Sequence, residues 1–136
     1  MIEVYCDGGS RGNPGHSAFG FVVTDDDKII KEGAGYIGIA TNNVAEYTAI
    51  VEALNWLEGY YRGADIKFYL DSKLAVSQLS GLYKVKNSNI REFVLKIRSL
   101  ETSFGQISYR LIPRRENSRA DALVNQVLDK RTKNYI

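Results

Sequence analysis

The stretch VYCDGGSRGNPGHSAFGF, residues 4–21, decides the fold of this chain. It begins with β-like residues, reaches Asp7, crosses a glycine-rich segment and returns to β-like sequence. A dinucleotide-binding fingerprint would lead directly into a helix, and a P-loop requires a G-x-x-x-x-G-K-[ST] string that the sequence lacks. What remains is a strand that ends at Asp7, followed by glycines that allow close approach of a ligand. An ordinary turn after Asp7 is the alternative.

The composition indicates one globular domain over residues 1–136, with 44% hydrophobic and 25% charged residues. No apolar run approaches the ~18 residues of a membrane span, and the first residues lack the pattern of a signal peptide. The lone Cys6 rules out an internal disulfide and suits a reducing compartment. We therefore expect a cytoplasmic, monomeric protein with no membrane partner.

The charge distribution is uneven along the chain. Residues 1–60 carry nine acids and three bases, a net charge of −6, whereas residues 61–136 carry seven acids and fifteen bases, a net charge of +8. This asymmetry favours contact between the C-terminal part and a polyanion. Solvated helix faces are the alternative.

Hydrophobic periodicity and turn residues predict the element order βββαβ(αα)βα. The predicted elements are strands at 2–6, 17–24 and 29–38, a helix from 41 to near Gly63, a strand at 65–71, an amphipathic segment at 72–81, a basic turn at 82–89, a helix at 90–103, a strand at 106–112 and a closing helix from about 118 to 130. This order predicts an α/β fold, a mixed sheet with helices packed on it.

Two acids are predicted to end strands. Asp71 closes FYLD as Asp7 closes VYCD, and ligands gather beyond the carboxyl ends of parallel strands. Neighbouring acids repel each other unless a cation lies between them. The alternative for Asp71 is to cap the segment that begins at Ser72.

Two further acids are predicted at helix starts. Glu46 follows Asn43 at capping-box spacing but also lies on the stripe that would face the sheet. Asp121 follows Ser118 at the same spacing, where the helix dipole favours an acid. Taken singly, each acid has a structural alternative. Together the four predict a cluster that would hold Mg²⁺ or Mn²⁺, and a pair of such ions ~4 Å apart serves in-line displacement at phosphorus.

Four motifs resemble the type 1 ribonuclease H family in order and spacing over essentially the whole chain: YCDGGSRGNPG, TNNVAEYTAI, YLDSKLAV and IPRRENSRADALVNQ. The resemblance implies a five-stranded mixed sheet, three antiparallel strands and then parallel ones, with flanking helices. It also implies endonucleolytic hydrolysis of the RNA strand of RNA/DNA hybrids with two Mg²⁺ ions, or Mn²⁺ as a substitute, leaving 5′-phosphate and 3′-hydroxyl ends. The implied catalytic and metal-binding acids are Asp7, Glu46, Asp71 and Asp121.

The resemblance further suggests residues that bind the minor groove of the substrate: Gly8, Gly9, Ser10, Asn13, Asn42, Asn43 and Lys73. Ribose hydroxyls lie in the wide minor groove of an A-like duplex, so amides and close backbone suit their recognition. Helix capping is the alternative for Asn42 and Asn43. Double-stranded RNA is a second substrate that the sequence leaves open.

The chain departs from the family pattern in two places. The basic protrusion of many members is replaced by a short segment, so hybrid binding is expected to depend on Lys84, Lys86 and the bases near Arg114, with a steep salt dependence. A solvated loop is the alternative for that segment. The loop before Asp121 also lacks the histidine that members often carry there.

An arginine, Arg114 or Arg115, is predicted to replace that histidine by electrostatic assistance. It would not carry protons, because guanidinium does not titrate near neutral pH. His16 is the one histidine of the sequence and is expected to be an exposed loop residue.

Two other functions remain open at the level of sequence. A hybrid- or duplex-RNA-binding module without turnover is possible because a fold can lose its chemistry and keep its groove. A 3′–5′ exonuclease would also cluster acids, but such enzymes usually carry D-x-E on the first strand, where this chain has Gly9.

Overall fold

A computed structural model of the chain describes residues 1–81 and 84–133, with side chains through residue 131. Its five strands form one mixed sheet in the order β3-β2-β1-β4-β5. The strands are β1 (Ile2–Arg11), β2 (Gly15–Asp25), β3 (Lys28–Ala40), β4 (Ile66–Leu70) and β5 (Ile107–Leu111). The first three pair antiparallel, and β4 and β5 continue the sheet in parallel with β1. This confirms the predicted fold class.

Within residues 1–81 and 84–133, four helices accompany the sheet: α1 (Asn42–Tyr60), α2 (Lys73–Leu79), α3 (Ser88–Glu101) and α4 (Ser118–Lys133). A 3₁₀ turn at Arg114–Asn117, absent from the predicted elements, leads directly into α4. Leu82 and Tyr83 of the predicted basic turn lie outside the described residues. Among the described helices, none is long and apolar enough to span a membrane.

The main core lies between α1 and the sheet. Leu54 and Leu57 of α1 are fully buried against strand residues such as Val4 and Phe68. A second, smaller cluster joins Val124 of α4 to the opposite face of the sheet. The two faces of β1 are therefore covered by different helices, α1 on one side and α4 on the other.

The first strand is longer than predicted. Residues Gly8–Arg11 continue β1 and pair with β2, whereas pairing with β4 is recorded only from Ile2 to Tyr5. The prediction that the strand ends at Asp7 is therefore wrong. Glycines have low strand propensity, but their backbone groups need partners, and the antiparallel neighbour supplies them. Asp7 lies in the strand just past its recorded pairing with β4.

The residues that cap α1 and α2 are not the site residues for which the sequence analysis considered a capping role. Thr41 caps α1 by accepting from Val44 N at 3.3 Å, and Ser72 caps α2 by accepting from Ala75 N at 3.2 Å. Neither Asn42 nor Asn43 caps α1, and Asp71 does not cap α2. Threonine and serine satisfy the helix ends, so the neighbouring amides and acid are available for other contacts.

Candidate active site

Four acids from four different elements line a single open cavity of about 420 Å³. Asp7 lies in β1, Asp71 follows β4, Glu46 lies in the second turn of α1 and Asp121 lies in the first turn of α4. The structure thus brings together the four side chains that the sequence selected. Their catalytic role stays a prediction at this point, because convergence alone does not define chemistry.

Asp7 is the most deeply buried of these acids, with 5% of its surface exposed. Burial is the largest cause that raises the pKa of its carboxyl, to about 8. The negative charges of Asp71 and Asp121 and a hydrogen bond shared with Asp121 act in the same direction, and the Gly8 backbone N–H opposes them. A buried acid among acids is costly by itself, which favours a nearby cation.

Glu46 shares this environment from the second turn of α1. Burial raises the pKa of its carboxyl to about 7, and the charge of Asp71 adds to that rise. The Ser72 side chain and the Arg114 guanidinium lower it. Near neutral pH the protonated forms of the Asp7 and Glu46 carboxyls are therefore favoured in the cavity. A positive charge that enters the cavity would favour their ionised forms.

Asp71 is oriented by Asn117, which the sequence analysis missed. The Asn117 side-chain nitrogen donates to Asp71 Oδ2 at 3.0 Å and to the Cys6 carbonyl at 2.8 Å. Asn117 is 1% exposed and ends the 3₁₀ turn before α4. Its spacing of four residues before Asp121 was the available signal, but a polar residue before a helix is ordinarily assigned to capping.

Asp121 is held by a cation and an amide. Arg114 Nη2 lies 3.3 Å from Asp121 Oδ1, and Asn125 Nδ2 donates to Asp121 Oδ2 at 3.3 Å. Both arginines are exposed, but Arg114 lines the acid cavity and Arg115 does not. Of the two arginines considered for the position of the missing histidine, only Arg114 is therefore placed near the acids.

Gly8 lets β1 and α1 approach each other at the cavity floor. A Cβ atom at this position would lie 2.2 Å from the Ala45 carbonyl carbon, a distance that real Cβ atoms do not tolerate. Gly8, Gly9 and Ser10 all line the cavity. The glycine-rich segment is thus a close-packed wall rather than a roomy turn.

An amide network connects that wall to α1. The Ser10 backbone N–H donates to Asn42 Oδ1 at 2.9 Å, and the Asn42 N–H donates to Asn13 Oδ1 at 3.1 Å. A second cavity, of about 610 Å³, adjoins this network and is lined by Asn13, Asn42, Asn43, Lys84 and Lys86 among others. Because Asn42 lines both cavities, the two form one continuous polar surface.

Two residues of the sequence analysis lie elsewhere. Lys73 is exposed at the start of α2 and lines neither cavity. His16 is not an exposed loop residue as predicted: it is half-buried in β2, where Nδ1 lies 2.7 Å from the Tyr36 hydroxyl. The longer β1 accounts for this, because Arg11 pairs in register with His16.

The donor set of the acid cavity fits a hard divalent cation. Carboxylate oxygens are what Mg²⁺ and Mn²⁺ prefer, and their negative charge is poorly compensated by neighbouring protein groups. Over the described ranges, no group of three or more His, Cys, Asp or Glu side chains is arranged to hold a metal ion by itself. Mg²⁺ does not need one, since it is usually held by one or two carboxylates together with waters and substrate phosphates.

The mixed five-stranded sheet agrees with the comparison to known proteins. Residues 5–127 match the family described as reverse transcriptase-like. The chain belongs to this family and, within it, to the type 1 ribonucleases H.

Ribonuclease HI of Halobacterium salinarum is 42% identical over 129 residues, covering 94% of this chain and 64% of the relative. A bifunctional protein of Mycobacterium tuberculosis is 38% identical over 131 residues, covering 94% of this chain and 35% of the relative. The chain thus spans about two thirds of the first protein and about one third of the second.

Among solved structures, LC11-RNase H1 in complex with an RNA/DNA hybrid superposes with a TM-score of 0.93 at 39% identity. The match covers 97% of this chain and 99% of that structure. The shared fold therefore includes every described element that carries the acid cavity.

Proposed function

We propose that this protein is a metal-dependent endoribonuclease that hydrolyses the RNA strand of RNA/DNA hybrids and leaves 5′-phosphate and 3′-hydroxyl ends. The observation that carries the proposal is the convergence of Asp7, Glu46, Asp71 and Asp121, from four elements, on one open cavity. The structure of LC11-RNase H1 contains a bound RNA/DNA hybrid, and this supports the choice of substrate.

The four acids would hold the metal ions. When bound, two Mg²⁺ ions, or Mn²⁺ in their place, supply activation of the attacking water and charge stabilisation at the leaving 3′-oxygen. The Asp7 and Glu46 carboxyls, with pKa values raised to about 8 and about 7, ionise more readily next to such charge. Asn117 keeps the Asp71 carboxylate oriented towards the cavity.

The polar surface beside the acids would position the duplex. The backbone of Gly8–Ser10 and the amides of Asn13, Asn42 and Asn43 suit recognition of ribose hydroxyls in a wide minor groove. Lys84 and Lys86 border the second cavity and suit contacts to phosphate. Lys73 stays the least supported of the proposed substrate contacts because it lines neither cavity.

Arg114 is proposed to assist electrostatically. Its guanidinium lies beside Asp121, so it can contact a phosphate oxygen or the leaving product without taking part in proton transfer. Arg115 does not line the cavity, so Arg114 is the better supported of the two arginines for this role.

Double-stranded RNA is included in the proposal as a second substrate. It also has a wide minor groove lined with ribose hydroxyls, so the same amides can contact it. A cytoplasmic location, a monomeric state and a single domain over residues 1–136 are retained as expectations.

The test is cleavage of end-labelled RNA/DNA, RNA/RNA and DNA/DNA duplexes with Mg²⁺, with Mn²⁺ and with EDTA. We expect internal cuts in the RNA of the hybrid, also when its ends are blocked, and none with EDTA. Glu46→Gln should lose the activity, whereas Glu52→Gln, an exposed position on the same helix, should keep it. Binding of hybrid without any cut would favour the binding-module alternative, and loss of activity on blocked ends would favour an exonuclease.

A further inference from the structure

We propose that Arg11 is a phosphate-binding residue that holds the RNA strand a few nucleotides from the scissile bond, kept in place by Asp129 until substrate arrives. The inference rests on the proposed function and extends it to a residue of the first motif to which the sequence analysis assigned no role. Two observations carry it: the position of Arg11 on the cavity wall and the nature of its ion pair.

Arg11 lies on the same face of β1 as Asp7. Side chains alternate along a strand, so Asp7, Gly9 and Arg11 point to the side that α4 covers. A Cβ on Gly9 would lie 3.3 Å from Val124 of α4, which confirms the direction of this face. Arg11 follows Asp7 by four positions, which corresponds to about 13 Å along the strand. Both residues line the same cavity, so Arg11 marks its end away from the acids.

Phosphates that enter this cavity meet four acids and need cations along the way. As far as the described residues go, the cavity lining contains two cations, Arg11 and Arg114. Arg114 lies at the acids, 3.3 Å from Asp121. Arg11 is therefore the cation available to a phosphate farther along the strand.

The ion pair between Arg11 and Asp129 can be replaced by a contact between Arg11 and a phosphate. Arg11 Nη2 lies 2.6 Å from Asp129 Oδ1, and the two side chains are 41% and 58% exposed. An ion pair this exposed contributes little to stability. A phosphate can replace the carboxylate, because the planar guanidinium fork matches either partner. Asp129 therefore holds Arg11 at the cavity wall without preventing the guanidinium from leaving the carboxylate for a phosphate.

The first test compares Arg11→Ala with Arg62→Ala. Arg62 is a matched control: it is also an exposed arginine in an ion pair, with Glu58 at 3.4 Å, but it precedes β4 and lies outside the cavity lining. For Arg11→Ala we expect KM for the hybrid to rise about tenfold with little change in kcat, as for loss of one charge-assisted contact. The slope of log KM against log salt should fall by about 1. Arg62→Ala should behave as wild type.

The second test locates the contact. Single phosphates of the RNA strand are replaced by uncharged methylphosphonates, and KM is measured with wild type and Arg11→Ala. We expect one position, outside the scissile phosphate, at which the replacement weakens binding to wild type but not to the variant. Equal effects at every position, or equal KM values for Arg11→Ala and Arg62→Ala with both folded by circular dichroism, would overturn the inference. Absence of cleavage by wild type would instead contradict the proposed function.

Discussion

Asn117 donates a hydrogen bond to Asp71 Oδ2 at 3.0 Å from a position that is 1% exposed. The same nitrogen donates to the Cys6 carbonyl at 2.8 Å, one residue before Asp7. One buried amide therefore connects the start of α4 to both strands that carry acids. The relative placement of Asp7 and Asp71 depends on it, because β1 and β4 have no recorded pairing beyond Tyr5 and Tyr69.

Replacing Asn117 should impair turnover more than binding. In Asn117→Ala, Asp71 loses a hydrogen bond and the buried Cys6 carbonyl loses its side-chain donor, which should cost about 1–3 kcal/mol of unfolding free energy. We expect kcat to fall about tenfold with a small change in KM, because the acid is misplaced while the groove remains. Steady-state kinetics and urea unfolding measure both effects. Asn55→Ala, an exposed position on α1, is the control; equal kcat values for the two variants would contradict this role of Asn117.

Asp7→Asn should stabilise the metal-free protein. The pKa of Asp7 is raised from an ordinary 3.8 to about 8, so between these values the folded state holds a proton that the unfolded chain has released. The stability of wild type therefore falls as pH rises over this range. The variant carries no such charge, and its advantage should be near zero at pH 4 and on the order of 5 kcal/mol at pH 8.

Urea unfolding in EDTA buffer at pH 4, 6 and 8 measures this difference. Glu52→Gln serves as control because its side chain is exposed, and its stability relative to wild type should not change with pH in the same way. An advantage of Asp7→Asn that shrinks as pH rises would have the wrong sign and would refute the argument from burial and charge repulsion. The variant should also lack cleavage activity with Mg²⁺.

Gly8→Ala should be strongly destabilising. Its Cβ would lie 2.2 Å from the Ala45 carbonyl carbon, so β1 and α1 must separate where Glu46 begins to line the cavity. Overpacking of this kind costs about 1–3 kcal/mol or more. Gly59→Ala is the matched control, because a Cβ at that helical glycine meets nothing within 4 Å. It should raise stability by up to about 1 kcal/mol; similar thermal midpoints for the two variants would refute the close approach.

Lys86→Ala should weaken hybrid binding without lowering the rate at which bound hybrid is cleaved. Lys86 lines the second cavity beside Asn87 and Asn89, away from the acids. We expect a higher KM and a salt slope reduced by about 1, with kcat unchanged. Lys28→Ala removes one charge at the start of β3 and should leave KM as in wild type. An unchanged salt slope for Lys86→Ala would support the solvated-loop alternative.

The sequence predicted most elements because their signals are local. The stripe of Ile50, Leu54 and Leu57 defines α1 by its own spacing, and these residues are buried as expected. The extension of β1 through Gly8–Arg11 could not be predicted in this way. It depends on backbone pairing with β2, and glycines carry no side-chain pattern that reports such pairing.

The same distinction applies to the contacts of the site. The pair Arg11 and Asp129 is separated by 118 positions, and Asn117 and Asp71 by 46. No periodicity relates residues so far apart, so the sequence analysis identified neither pair. That Arg114 lines the cavity and Arg115 does not likewise depends on the 3₁₀ turn at Arg114–Asn117, which the predicted elements lacked.

The amino-acid sequence by itself determined the order of the elements, the class of sheet and the selection of the four acids, because residue spacing encodes which face of an element each side chain occupies. The tertiary structure alone decided how those four acids meet. Strand order, the crossing of α1 and α4 over opposite faces and the long-range hydrogen bonds of Asn117 set the distances between acids. Those distances are consequences of packing the whole chain, and the repulsion that raises the pKa of Asp7 exists only after that packing.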